Sequence, residues 1–484
     1  MKNINKNNYL ITTDFLRYLP SRFYVLTNIF LILPFFANLL SIKEMGTFQI
    51  CISILNLICT IFFDWIAKAV LRFYDKNKLQ ESLNKFFGNI IILYITNYFL
   101  FGILYLIFHG KMCAYLYIDR LTLFSIMILV IPCIIRQFLY QMLRLYEMPV
   151  LYTASIIIYQ LLLVIITILF VHIGFNNVSA ILTSMALAIT ILDFYIFKKI
   201  KRLILQKNNN NTLIKFEIDI IKKILKYGIP LVCTNFFIWG LFHYNKYFFQ
   251  SSGNFNATGE FSLAAFITTG ILTSIFSTML FAVFPRILKR FETQRNLSAL
   301  MTNLVRLYIL YFVPLALIFC IFTKDIVTFF STDQYKEIIN ILPFWAVCIF
   351  IHELGKIINV KYHLYNKNYI DTLVAMVCTT ICIAITYPLV NLFGIKGAAI
   401  AMTIGFVTWI ATNSLIKINN IKYIDYKAIL VCLAVSLILS TAAYTITQPI
   451  KLITSSYVGK IVQILVFTCS YYYLLYKYRK TILK

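Results

Sequence analysis

The chain has 484 residues, a formal net charge of +26, 61% hydrophobic residues and 13% charged residues, with a mean hydropathy of +0.81. A soluble domain is about half apolar and a quarter charged, so this composition excludes one and points to an integral membrane protein. The positive charge does not imply nucleic acid: with the N-terminus inside, 35 of the 44 Lys and Arg fall on the inner side, which is what the positive-inside rule produces.

In chain order the sequence predicts fourteen apolar helices of the roughly 20 residues that a span needs. Spans 1 to 14 cover 18–40, 46–69, 86–109, 119–142, 149–172, 178–197, 226–248, 258–283, 303–323, 338–360, 369–392, 397–416, 427–447 and 457–477. The opening MKNINKNNYLITTDFLRYLP is polar and runs straight into span 1, which is therefore read as a retained anchor and not a cleaved signal. Both termini are assigned to the cytoplasm. No outward loop exceeds about a dozen residues, so any work is done inside the bundle.

An ionisable residue within a span is a functional candidate by default. Arg22 lies about one turn inside span 1 and Arg136 within span 4. Each could hold a diphosphate or an acidic sugar through forked hydrogen bonds, or snorkel to the inner headgroups. Asp64 and Lys68 are spaced i, i+4 on span 2 with the acid first, the order of an ion pair. Asp193 in span 6 has Lys198 close below it, again the spacing of a pair. Lys246 closes the run YGIPLVCTNFFIWGLFHYNKYFF of span 7, where it is a candidate anion contact at the outer mouth or among the outer headgroups. Span 10 carries His352, Glu353 and Lys356 in IFIHELGKIINV. His352 and Lys356 share a face and Glu353 reaches Lys356 on the next turn, so the group is either a neutral pair or a site of proton exchange.

Between spans 6 and 7 the chain is most polar. Asn208 to Asn211 break the pattern, and Thr212 then caps a predicted helix with Leu213, Phe216, Ile220, Ile221 and Ile224 on one face and lysines elsewhere. That pattern predicts a helix on the anionic inner leaflet, the alternative being a solvated linker. The eleven Cys lack metal-ligand spacing, and Cys378 and Cys382, one turn apart, are read as packing residues. No Gly-rich phosphate cradle appears, so neither ATP hydrolysis nor a cofactor or metal is expected.

Weak similarity recurs at an offset of 210 to 220 residues. Leu19-Pro20 pairs with Ile229-Pro230, Met45-Gly46-Thr47-Phe48 with Thr258-Gly259-Glu260-Phe261, LYEMPVLYTA from Leu145 with LYNKNYIDTL from Leu364, and Gly174 with Gly394. The shift grows slowly and in order, as in a duplication with small insertions. Six helices per copy make both copies enter from the same side, which implies parallel repeats. The predicted division is 1–200, a linker 201–225, 226–418, and an appended pair of helices over 419–484.

Leu39 to Phe48 (LLSIKEMGTF), Lys226 to Pro230 (KYGIP), HYNKYFF followed by Ala257 to Phe261, and FGIKGAAIA from Phe393 to Ala401 are, in this order and spacing, similar to the polysaccharide-biosynthesis flippases of the multidrug/oligosaccharidyl-lipid/polysaccharide exporter superfamily. The resemblance covers essentially the whole chain. It implies two six-helix lobes forming a V-shaped cavity, and transport of undecaprenyl-diphosphate-linked oligosaccharide across a bacterial inner membrane for O-antigen or capsule. It also implies a polymerase and a chain-length regulator as partners. Relatives often carry an acid followed by a base near the end of span 7, where this chain has Asn245-Lys246, which puts ion coupling there in doubt. A multidrug or small-cation exporter of the same superfamily would favour acidic cavity walls, and a membrane glycan polymerase would need a long outward loop.

Overall fold

The computed structural model describes residues 39–73, 83–145, 148–175, 177–205, 217–276, 298–330, 337–365, 367–417, 426–453 and 457–482, with isolated positions between 32 and 36 and between 280 and 291. Among them all regular structure is helical: α1 (Ile42–Phe62), α2 (Asp64–Phe73), α3 (Leu83–Leu116), α4 (Arg120–Leu145), α5 (Pro149–His172), α6 (Val178–Leu205), α7 (Ile218–Ser251), α8 (Phe255–Thr268), α9 (Ser298–Ile321), α10 (Thr323–Phe330), α11 (Ile338–Leu364), α12 (Asn368–Phe393), α13 (Ile395–Leu415), α14 (Tyr426–Ile453) and α15 (Tyr457–Ile482). α8 continues into a π-helical turn, Thr269–Thr273.

Twelve helices among the described residues are long and apolar enough to cross a membrane, and they coincide with predicted spans 2 to 13. Span 1 lies almost wholly outside the described residues, and span 14 is helical as α15. The structure is thus the all-helical, many-spanning bundle that the apolar runs predict. With no water in the hydrocarbon, only a helix satisfies every backbone group locally.

Two stretches depart from the sequence pattern. Span 2 is two helices, because the chain breaks at Phe63, whose φ of −130° and ψ of −39° depart from the helix. α1 opens on a capping box: Glu44 Oε2 accepts from Ser41 N at 2.9 Å, and Ser41 Oγ accepts from Glu44 N at 3.3 Å, the reciprocal pairing that S-x-x-E encodes. The predicted surface helix before span 7 is corrected as well. Asn208 to Phe216 lie outside the described residues, but Ile218 onward is the start of the 34-residue α7. Its Ile220, Ile221, Ile224 and Leu225 pack into a core with Trp65, Phe86 and Leu143. An apolar helix face has the same periodicity whether a leaflet or a neighbouring helix covers it, and here helices cover it.

By compactness the chain forms two units, one of Phe30–Ser262 and one containing Leu263–Lys484. The division falls within the run of α8 and not at the 201–225 linker, because α7 packs on α1, α2 and α3. Packing units and sequence repeats therefore cut the chain at different places. In the second unit α11, α12 and α13 pack together, and α9 packs on α11 and α14. The appended helices are tied to α9 by Tyr471, which donates to the Leu310 carbonyl at 2.7 Å, and by Tyr472, which donates to that of Tyr311 at 2.8 Å. Between membrane helices, where lipid removes most of the hydrophobic drive, close packing and such polar ties hold the bundle. One repeat landmark is visible in the backbone: Gly174 and Gly394, just before α6 and α13, take φ of +93° and +59°, a conformation that glycine adopts without a Cβ penalty.

Candidate functional site

Arg22 lies outside the described residues. The remaining predicted polar residues fall into two clusters, one in each unit, and a buried lysine on α7.

In the first unit α4 and α6 bring together two residues that the sequence gives no reason to join. Arg136 Nε lies 3.6 Å from Asp193 Oδ1, with side-chain exposures of 13% and 5%. The guanidinium also faces the Tyr159 ring of α5, 4.0 Å from its centroid. That geometry suits arginine, whose flat, weakly hydrated cation stacks on an aromatic face. The expected Asp193–Lys198 pair is corrected: Lys198 instead places Nζ 4.3 Å from the Phe194 ring centroid, and Asp193 turns inward to Arg136. Asp64, released from the α1 register by the break at Phe63, is the first residue of α2. Its side chain is half-buried, and that of Lys68, one turn on, is exposed.

Lys246 is 3% exposed, which corrects its expected place among the outer headgroups. The end of α7 is covered because it packs on α1. Trp239 donates to the Ser53 carbonyl at 3.2 Å, Tyr247 and Ser53 share a hydroxyl hydrogen bond of 2.9 Å, and the Trp239 ring meets those of His243 and Tyr247 in tilted contacts at 5.1 and 5.4 Å. Gln250, one turn beyond Lys246, donates to the Leu116 carbonyl at 2.7 Å.

In the second unit the span-10 cluster forms on α11. Lys356 Nζ donates to Glu353 Oε1 at 2.6 Å, and His352 Nδ1 lies 3.4 Å from the same oxygen. Glu353 is 1% exposed on its side chain and Lys356 40%, so one carboxylate oxygen in a closed pocket carries a cation that reaches out of it. Tyr308 of α9 donates to the Phe350 carbonyl of α11 at 3.1 Å. The His352 ring lies 5.9 Å from that of Trp409 on α13.

A further network was not visible in the sequence. Lys361, buried near the end of α11, donates to the carbonyls of Asn413 and of Ile416, the latter at 2.6 Å. It thereby covers carbonyls that the end of α13 leaves unpaired. Tyr362 donates to Asn413 Oδ1 at 2.9 Å, and Asn359 donates to Asp371 at 2.8 Å. Lysine at the inner end of a span reads as a snorkelling residue, and its partners stand 52 and 55 residues away; no local spacing announces them. Among the described residues no three His, Cys, Asp or Glu gather as a metal site would require.

The model of a family described as polysaccharide biosynthesis protein matches residues 23–291. Among solved structures, a lipid II flippase, MurJ, in an inward closed conformation matches with a TM-score of 0.71 at 15% identity, over 98% of this chain and 100% of that one. An inward-facing multidrug resistance MATE family transporter of the MOP superfamily matches at 0.55 and 12% identity, over 84% of this chain and 92% of its own. A Vibrio cholerae MATE transporter, VcmN in the bent form, matches at 0.57 and 12%, over 89% and 98%. Comparison with curated protein sequences gives no match. At these identities the structural likeness is one of fold.

Proposed function

The chain belongs to the polysaccharide biosynthesis protein family, and from that membership we propose that it is a flippase for undecaprenyl-diphosphate-linked oligosaccharide repeat units. It moves them across a bacterial inner membrane by alternating access, for O-antigen or capsular polysaccharide, and passes them to a polymerase under a chain-length regulator. The observation that carries the reading is the fold shared with a lipid II flippase over 98% of the chain. A sugar and a diphosphate cross hydrocarbon only along polar groups, since an unpartnered polar group there costs several kcal/mol.

Lys356 suits the diphosphate best among the described candidates, because its ammonium is 40% exposed while its counter-ion is closed in. A phosphate oxygen competes with Glu353 for it, and a Glu353 so released takes up a proton, with His352 beside it. Arg22 contributes a second cation to the diphosphate. Arg136 and Lys246 act at one remove, the first held by Asp193 and the second buried, shaping the charge around the path. The repeats 1–200 and 226–418 act as the two halves of the transporter, without ATP hydrolysis.

Deleting the gene tests the reading. The expected result is loss of surface polysaccharide with accumulation of the lipid-linked repeat unit, restored by the parent chain but not by Lys356→Ala at equal membrane level. Unchanged polysaccharide with increased drug sensitivity would instead favour a multidrug exporter, the reading that the MATE-like fold supports.

A further inference from the structure

We propose that His352 is a standby donor, which takes over Glu353 Oε1 when Lys356 leaves it for an anion, and that Trp409 of α13 is the positioning residue that aims His352. The inference rests on the reading of Lys356 as the diphosphate contact and adds what lets Lys356 leave.

Two bases face one oxygen. Lys356 Nζ stands 2.6 Å from Glu353 Oε1, and His352 Nδ1 stands 3.4 Å from it. The first is a short charge-assisted bond. The second is longer than the usual N–H···O bond of about 2.7–3.2 Å, so His352 waits while Lys356 holds. A carboxylate whose side chain is 1% exposed has no bulk water to turn to, and an unpaired buried charge is costly. Lys356 can therefore change partner only if a second donor covers the oxygen. His352, with its proton on Nδ1, is that donor.

The order of residues on α11 gives His352 a rigid seat. Cys348, His352, Gly355 and Tyr362 follow at steps of four, three and seven, the spacing of a packed helix seam, and all of them meet α13. Cys348 Sγ lies 3.3 Å from Thr403 Oγ1, and Tyr362 donates to Asn413 Oδ1 at 2.9 Å. Between these ties the His352 ring meets that of Phe406 at 5.7 Å and that of Trp409 at 5.9 Å. Trp409 comes so close to α11 because residue 355 has no side chain: a Cβ there would overlap Trp409 Cζ3 and stand 2.8 Å from Cη2. Trp409 is 2% exposed and His352 9%, so packing opposes rotation of the imidazole away from Glu353. A donor fixed in this way gives up little side-chain freedom when it takes the oxygen.

Limited acetylation of the purified chain in lipid nanodiscs, read by peptide mass spectrometry, tests the proposal. Lys460 is the internal reference, because it is 38% exposed and paired with Asp325 at 2.9 Å, outside the cluster. With no anion present, His352→Phe and Trp409→Leu should each lower Lys356 labelling relative to Lys460 about tenfold, the factor that one hydrogen bond to a charged group supplies. His352→Asn, whose amide keeps an N–H near the Nδ1 position, should recover most of that loss. A ring needed only for packing would give the opposite order, with Phe closer to the parent chain than Asn. Inorganic pyrophosphate, added as the anion, should protect Lys356 in the parent chain.

A Lys356 that is unreactive in the parent chain, or a ratio that His352→Phe leaves unchanged, would overturn the standby role. Should His352→Phe fail to accumulate, His352→Leu decides in its place. A ratio unchanged in Trp409→Leu would overturn the positioning by Trp409, and if that variant does not accumulate, Trp409→Phe, which lacks the ring edge seated on Gly355, decides in the same way. Labelling that falls as expected while pyrophosphate protects nothing would uphold the standby donor and remove the diphosphate assignment, so the two fail separately.

Discussion

Arg136–Asp193 in the first unit and Lys356–Glu353 in the second are both acid–base pairs inside a membrane bundle, and they are built in opposite ways. The first spans two helices at 3.6 Å, with both side chains enclosed at 13% and 5% exposure. The second lies within one turn of α11 at 2.6 Å, with its acid enclosed at 1% and its base 40% exposed. A pair with two trapped members fixes helices against each other, because neither charge has anywhere else to go. A pair with one free member can exchange its partner, as a binding residue must.

The sharpest way to break this comparison is to remove one member of the trapped pair. Asp193→Leu leaves a guanidinium uncompensated against the Tyr159 ring, and Arg136→Leu leaves a carboxylate; each is expected to cost about 3–5 kcal/mol of stability. The double variant should recover most of that loss, since replacing a buried pair by apolar side chains is often nearly neutral. Unfolding by SDS titration in mixed micelles measures both. Single losses below about 1 kcal/mol would mean that water reaches the pair and that it is not trapped.

Lys361 sharpens the contrast from within the second unit. It is a buried base whose donors go to the carbonyls of Asn413 and Ile416, so Lys361→Met strands two acceptors at the end of α13. The expected cost is about 2–3 kcal/mol, with hydrogen exchange rising in the last turn of α13 and not in α4 or α6. Next in size is Lys356→Met. It leaves Glu353 enclosed with His352 as its remaining near partner at 3.4 Å, at a cost of about 2 kcal/mol, and abolishes export if Lys356 meets the diphosphate.

What was legible in the sequence divides along the same line, between contacts made within one helix and contacts made across helices. The helices were legible, because an apolar run of 20 residues has one stable form in hydrocarbon, and twelve of the predicted spans are there. Glu353–Lys356 was, because i, i+3 neighbours on one helix meet whatever surrounds them. Asp193 was assigned to the wrong base because its true partner is on another helix, and local spacing could offer only Lys198. Asp64 and Lys68 keep their i, i+4 spacing within the unbroken α2, but the spacing does not say that Lys68 turns its side chain out to an exposed position. Lys246 and the start of α7 share a third difficulty, since a face marked apolar or polar by its pattern does not say whether lipid, headgroup or another helix covers it.

Glu353→Gln tests the idea of an exchangeable partner with the smallest expected change in stability. The amide keeps an oxygen acceptor for Lys356, so the neutral bond replaces a charge-assisted one and the loss should be about 1 kcal/mol. Lys356 is 40% exposed and carries its charge outward once the carboxylate is gone. If Glu353 competes with the diphosphate for Lys356, removing its charge should tighten substrate retention while slowing release. Purified chain in lipid nanodiscs should then hold lipid-linked repeat unit more tightly, and cells should export less of it, at unchanged membrane level. Weaker retention together with a stability loss as large as that of Asp193→Leu would show that the Lys356–Glu353 pair is a structural tie of the same kind as Arg136–Asp193.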